Sequence, residues 1–379
     1  MSFEVLALIS AAALAGPLLA SRRTWHLPVV LGELLAGILL GSTGVRALDP
    51  GDPTFTFLAD IGFALVMFVA GTHVPIRDVR IRPALAKGMV RAVLVGVGAT
   101  PAGFGIAQAF GTGHAALYAV LIASSSAALV LPLIDSLGLE GTPIVQTIAQ
   151  VAVADIACIV ALPLVIDPAQ APRAAAGAVA VAVATAVFYA VLRASDSRGW
   201  LHSLHQESKE RGFALELRIN LGVLFLLAAL AVHSHVSIML AGFALGLVIA
   251  AVGEPRRLAK QLFSITEGFF GPLFFVWLGA SLNVRDLGAD PSLILLGVAL
   301  GFAAVLVHCL TRLVGVPLPL GALAAAQLGV PVAAAAIGAQ SHLLGPGEPS
   351  ALILGALVTI ATTTVAGATA ARRGFGTPR

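Results

Sequence analysis

One carboxylate sits in the middle of a stretch otherwise suited to lipid: Asp155, within IVQTIAQVAVADIACIVALPLVI from Ile144 to Ile166. Wound as a helix rising about 1.5 Å per residue, this stretch spans a bilayer's hydrocarbon core and sets Asp155 near the midplane. Insertion scales make an aspartate there unfavourable by roughly 2.5 to 3.5 kcal/mol. Such residues face a bundle interior or a water cavity and handle ions or protons. Arg312, in HCLTRLVG, is the only basic residue inside an apolar run. A guanidinium keeps its proton and needs a carboxylate or carbonyl partner, and Asp155 is the natural one. The other reading has Arg312 snorkel to the nearby loop at Val316 to Pro319. Ser124, Ser125 and Ser126 in IASSSAALVLPLI can satisfy backbone groups freed by an unwound turn, and the Gln327-Leu-Gly-Val-Pro331 run in AAAQLGVPVAAAA can weaken a helix at the same depth. Thr147, eight residues before Asp155, more nearly shares its helix face than Gln150 does. Glu33, Asp60 and Glu267 fall near the ends of apolar runs, and the histidines, His308 and His342 included, are scattered and receive no role.

The elements that must position these groups are membrane helices. Residues are 58% hydrophobic and 11% charged, with mean hydropathy +0.98, so apolar runs of spanning length recur from end to end. Thirteen candidate spans run from about residue 3 to residue 371. The first is followed by Arg22 and Arg23, the wrong order for a cleaved secretory signal. With the amino terminus outside, eighteen Lys and Arg fall on the inner side, at 22–23, 77–91, 193–218, 256–260 and 372–379. Only Arg46, Arg173 and Arg285 fall outside. The positive-inside rule then predicts a multi-pass protein of the cell (inner) membrane with a cytoplasmic carboxyl terminus. Basic residues distributed by topology give no indication of nucleic-acid binding. Cys158 and Cys309 lie in apolar runs as buried thiols, and no metal-ligand spacing or cofactor motif occurs.

An internal repeat is legible. LLAGILLG from Leu34 is echoed by MLAGFALG from Met239, and FVAGTHVPIRDV from Phe68 by FVWLGASLNVRDL from Phe275, at offsets of 205 to 208 residues. Spans 2 and 3 thus correspond to spans 9 and 10. A separation of seven spans turns one copy upside down relative to the other, a signature of secondary transporters whose site lies where broken helices meet. Carrying the offset forward pairs span 5, with its serines, and span 12, with Gln327, as two crossed, interrupted helices.

LPVVLGELLAGILLG, LADIGFALVMFVAGTHVPIRDV and GFFGPLFFVWLGASLNVRDL resemble signature segments of the monovalent cation:proton antiporters, the sodium/proton exchanger superfamily and especially its bacterial branch. The resemblance covers nearly the whole chain and implies an all-α sodium/proton antiporter fold of about thirteen helices. It also implies a homodimer in which a core moves in an elevator-like cycle. Residues 1–85 would be dimerisation and scaffold helices, 86–168 and 291–379 the two core halves, and 169–290 linker and scaffold helices. The family's paired span 6 residues match Ala154 and Asp155, so the carrier acid is present and its polar neighbour is replaced. The span 11 basic residue matches Arg312, the span 5 break matches Ser124 and Ser125, and the polar segment of span 12 is reduced to Gln327. No fused nucleotide-binding domain is expected after Arg373.

With one titrating acid, the simplest cycle is competition: Asp155 carries a proton or a sodium or potassium ion, never both. How readily it exchanges them depends on the balance between burial and nearby charge. The expected function is electroneutral cation/proton exchange, a transport activity and not an enzymatic one. Two alternatives share the fold: proton-coupled transport of an organic solute, with Ala154 and Arg312 making room for an anionic group, and a non-transporting, ion-sensing relative. An intramembrane aspartyl protease needs two facing acids, and only one lies at mid-depth.

Overall fold

The computed structural model describes residues 1–21, 29–72, 74, 77, 81–197, 213–234, 236–253, 256–340 and 343–375. Arg22, Arg23, Arg80, Arg198, Lys209, Arg211, His342 and Arg379, singled out above, lie outside these. The helices in chain order are α1 (Phe3–Ala13), α2 (Ala15–Ala20), α3 (Val29–Leu40), α4 (Pro53–Thr72), α5 (Ile81–Phe110), α6 (Ala115–Ala123), α7 (Ala127–Ser136), α8 (Thr142–Ile166) and α9 (Ala171–Ser197). They continue with α10 (Leu215–His233), α11 (Ile238–Val252), α12 (Arg256–Ile265), α13 (Gly271–Ser281), α14 (Val284–Ala289), α15 (Pro291–Cys309), α16 (Leu318–Ala324), α17 (Gly329–Gln340) and α18 (Glu348–Ala370). Among the described residues, ten helical segments are long and apolar enough to cross a bilayer, and three more apolar helices are shorter. Val97, Phe104, Leu226, Phe302 and Leu306 turn outward and are more than half exposed, the apolar exterior of a multi-pass membrane protein.

The chain divides into two compact units. One comprises residues 1–56, 78–168 and 275–379; the other comprises 57–77 and 169–274. In the first, α3 crosses α13 so closely that a Cβ on Gly37 would collide with the carbonyl of Val276, and one on Gly279 with that of Leu34. In the second, α4 crosses α11 in the same manner, Gly71 against Phe243 and Gly246 against Phe68. Each crossing takes one helix from each copy of the sequence repeat. The repeated Ala-Gly and Leu-Gly pairs are therefore packing devices, small residues that let backbones approach where lipid offers no hydrophobic drive to association. Gly37→Val is expected to destabilise the protein by about 1–3 kcal/mol or more, since the obstacle is backbone that no rotamer change relieves. Thermal unfolding in detergent reads this as a lowered midpoint.

Within the first unit, α5, α6, α8, α15, α16, α17 and α18 pack around two helix interruptions. Helix α5 runs for 30 residues, about 45 Å, so Lys87 and Arg91 are part of a continuous helix and not of a loop. Helix α15 ends at Cys309 and tightens into a 3-10 turn, Leu310–Val314, which carries Arg312.

Candidate functional site

Ser124, Ser125 and Ser126 separate α6 from α7. The backbone is extended at Ser124 (φ −70°, ψ 148°) and Ser126 (φ −127°, ψ 108°). Residues 325–328 separate α16 from α17 in the same way. Each break frees carbonyls at the end of one half-helix and N–H groups at the start of the next, and groups so deeply buried must find partners. They find them across the pair of breaks. The Gln327 side-chain amide donates to the carbonyl of Leu121 at 2.6 Å and lies 3.4 Å from that of Ser124. In return, the Ser125 hydroxyl donates to the carbonyl of Ala324 at 2.7 Å. Helix α18 completes the arrangement: Thr359 accepts the Gln327 backbone N–H at 3.1 Å, and Thr363 donates to Ala322 at 3.3 Å. Pro331, in the first turn of α17, lacks only an N–H that the helix start would leave unpaired.

Asp155 projects from the middle of α8 toward this junction and is 5% exposed. Its Oδ2 accepts the N–H of Ala127, the first residue of α7, at 2.9 Å. The carboxylate thus meets the positive end of a half-helix, where a charge-assisted hydrogen bond and the helix dipole both favour an anion. Its Oδ1 makes no hydrogen bond among the described residues. One oxygen is anchored and the other is available. No group of three His, Cys, Asp or Glu that could hold a metal ion converges among the described residues. Ala127→Pro removes the anchoring N–H and sets a ring methylene against Oδ2, while proline suits a first helical position and Ser126 already has the extended backbone that proline requires. The expected outcome is a folded protein whose transport slows by about tenfold or more, because the carboxylate loses its fixed position. Initial rates in proteoliposomes, with thermal unfolding as the control, check this.

The structure brings together Asp155, Ser124, Ser125 and Gln327, with Ala154 buried beside its neighbour on α8. It does not bring Arg312 to them: Arg312 is exposed on the 3-10 turn, and no ion pair joins it to Asp155. Snorkelling describes its position better than partnership does. Thr147 is fully buried, but its hydroxyl turns back to the carbonyl of Pro143 at 3.0 Å. The basic side chain that touches the unwound serines is His308, four residues before Arg312 and fully buried. Its Nδ1 lies 2.9 Å from the carbonyl of Ala304, which only accepts, so Nδ1 carries a hydrogen; its Nε2 lies 3.3 Å from Ser125 Oγ. The usable signal was position: His308 sits a full turn deeper in its span than the arginine preferred for its charge. Gln150 is 1% exposed with neither amide atom hydrogen-bonded, an unmet polar group on the Asp155 helix.

The sodium/hydrogen exchanger transmembrane family matches residues 9–372. YjbQ of Bacillus subtilis, which bears a Na(+)/H(+) antiporter name, is 24% identical over 90% of this chain and 59% of its own length. A Methanocaldococcus jannaschii protein named as Na(+)/H(+) antiporter 3 is 26% identical over 69% of this chain and 68% of its own. Among solved structures, the sodium proton antiporter MjNhaP1 from Methanocaldococcus jannaschii superimposes with a TM-score of 0.64. It covers 97% of this chain and 96% of its own at 16% identity, a likeness of fold.

Proposed function

The chain belongs to the sodium/hydrogen exchanger family, and on that premise we propose that it exchanges protons for sodium or potassium ions, one for one, at Asp155. The observation that carries this reading is the divided carboxylate. Ala127 holds Oδ2 at the head of a broken helix, while Oδ1 is left to take a proton or a cation. Both loaded forms are neutral, whereas the empty carboxylate is a buried charge that the membrane interior disfavours by several kcal/mol. Only loaded carriers therefore cross readily, which couples the two fluxes and makes the exchange electroneutral. The serine and Gln327 region supplies neutral oxygens for a weakly held ion. The residues around the breaks, 86–168 and 291–379, form the moving core, in a homodimer whose carboxyl terminus faces the cytoplasm.

The test is purified protein in proteoliposomes with an imposed pH gradient and an internal pH-sensitive dye. Sodium, potassium or lithium added outside is expected to collapse the gradient, with no change in rate when a potassium-selective ionophore clamps the voltage. A gradient that responds to none of these ions, or only to an organic acid, would overturn the reading.

A further inference from the structure

Away from Asp155, the first unit holds a second set of polar groups that the exchange cycle does not use. A recess of about 420 Å³ is lined by Lys87, Val90 and Arg91 of α5, Gln146 of α8, and Val314 and Gly315 after α15. That volume falls within the roughly 300–1,000 Å³ usual for small-ligand clefts. It forms because Gly88 lets α5 ride directly on the backbone of Ala149 and Gln150, bringing Arg91 down onto Gln146. Gly315 leaves its mouth open, since a Cβ there would meet nothing within 4 Å.

Arg91 is 7% exposed. Its Nη2 donates to Gln146 Oε1 at 2.7 Å, but its Nη1, fully buried, has no partner. No carboxylate lies within ion-pair distance of Arg91 or Lys87 among the described residues. A guanidinium that cannot shed its charge, buried with half its fork unmet, is strongly unfavourable unless an anion completes it. Lys87, one helical turn earlier on α5, supplies a second cation at the same recess. A planar fork beside an ammonium is the chemistry of phosphate recognition.

We propose that this recess is a phosphate-binding site, with Arg91 Nη1 and Lys87 as the anion's ligands and Gln146 as the group that orients the guanidinium. The phosphate comes from an anionic lipid headgroup or from free phosphate in solution. The exposed apolar side chains Val90 and Val314 on the rim suit acyl chains. The recess lies at the end that the basic-residue asymmetry assigns to the cytoplasm, where anionic lipids concentrate.

The experiment is thermal unfolding of the purified full chain in a neutral detergent, titrated separately with short-chain phosphatidylglycerol, short-chain phosphatidylcholine and inorganic phosphate, against chloride at matched ionic strength. Phosphatidylglycerol is expected to raise the midpoint saturably, with phosphatidylcholine ineffective. Lys87→Gln should weaken the effect about tenfold, the loss of one charge-assisted hydrogen bond, and Arg91→Gln should weaken it further. A response to lipid alone identifies the headgroup; a response to inorganic phosphate as well identifies phosphate from either source. If Arg91→Gln does not fold, Lys87→Gln and the charge-keeping, fork-breaking Arg91→Lys carry the comparison. No stabilisation beyond the chloride control, or an undiminished response in the variants, would overturn the site. No transport is measured, so the outcome is independent of the exchange reading.

Discussion

Asp155→Asn is expected to abolish cation-driven proton movement in proteoliposomes, down to the rate of protein-free vesicles, while leaving the protein folded. Asparagine keeps the shape, and its side-chain oxygen can still accept the Ala127 N–H that Asp155 accepts at 2.9 Å. It can neither bind a proton near neutral pH nor neutralise a cation, so both cargoes are lost in one substitution. Stability should hold or rise, because a neutral amide replaces a charge buried without an ion pair. Asp155→Glu keeps the charge but lengthens the arm by one methylene, and a displacement of about 1 Å is enough to cost on the order of a hundredfold in rate. Exchange should therefore be reduced in the glutamate variant and absent in the asparagine variant. Equal rates in all three proteins would remove this carboxylate from the mechanism.

Gln327→Leu is expected to have the second largest effect, and this one falls on the fold as well as on transport. The lost amide is the donor to Leu121 at 2.6 Å and leans on the carbonyls of Ile122 and Ser124. Leucine fills similar volume and offers no hydrogen, so carbonyls of the broken α6 are stranded in a dry interior at about 1–3 kcal/mol for each unsatisfied group. The thermal midpoint should fall, and exchange should drop by at least about tenfold because the two breaks lose one of the bonds that register them, leaving that from Ser125 to Ala324. Gln327→Glu is the informative companion. A carboxylate presents acceptors to carbonyls, so the variant should be worse than leucine at high pH and recover in acid, where a protonated carboxyl donates again.

Much of this arrangement was legible in the sequence, for reasons that are physical. Asp155 announced itself because a charge at mid-depth has few explanations other than function. The triple serine and the Gly-Val-Pro run marked the breaks because helices in lipid are interrupted only where side chains or a neighbouring break can satisfy the backbone. The glycine pairs at Gly37 and Gly41, and again at Gly242 and Gly246, gave the repeat away because close crossings tolerate nothing larger. Partnerships across distant segments were not legible. Arg312 drew attention as a permanent charge in an apolar run, yet α15 ends at Cys309 and tightens into a 3-10 turn that leaves Arg312 exposed. His308 receives no role from the sequence because a lone histidine carries no pattern. Its role as neighbour of Ser125 depends on how α15 is turned against α6. Arg91 counts in the sequence only as one of the inner-side basic residues, because nothing in its own segment shows that the helix beginning at Ile81 carries its guanidinium onto Gln146 of α8.

Uptake of radioactive sodium by proteoliposomes, measured as KM over a range of pH, tests the competition at Asp155 most directly. If one carboxylate binds either a proton or one cation, linkage requires KM for the cation to rise by about tenfold for each unit of acidification on the acid limb, with Vmax unchanged. A KM independent of pH, or a steeper dependence that demands two protons, would contradict a single shared site.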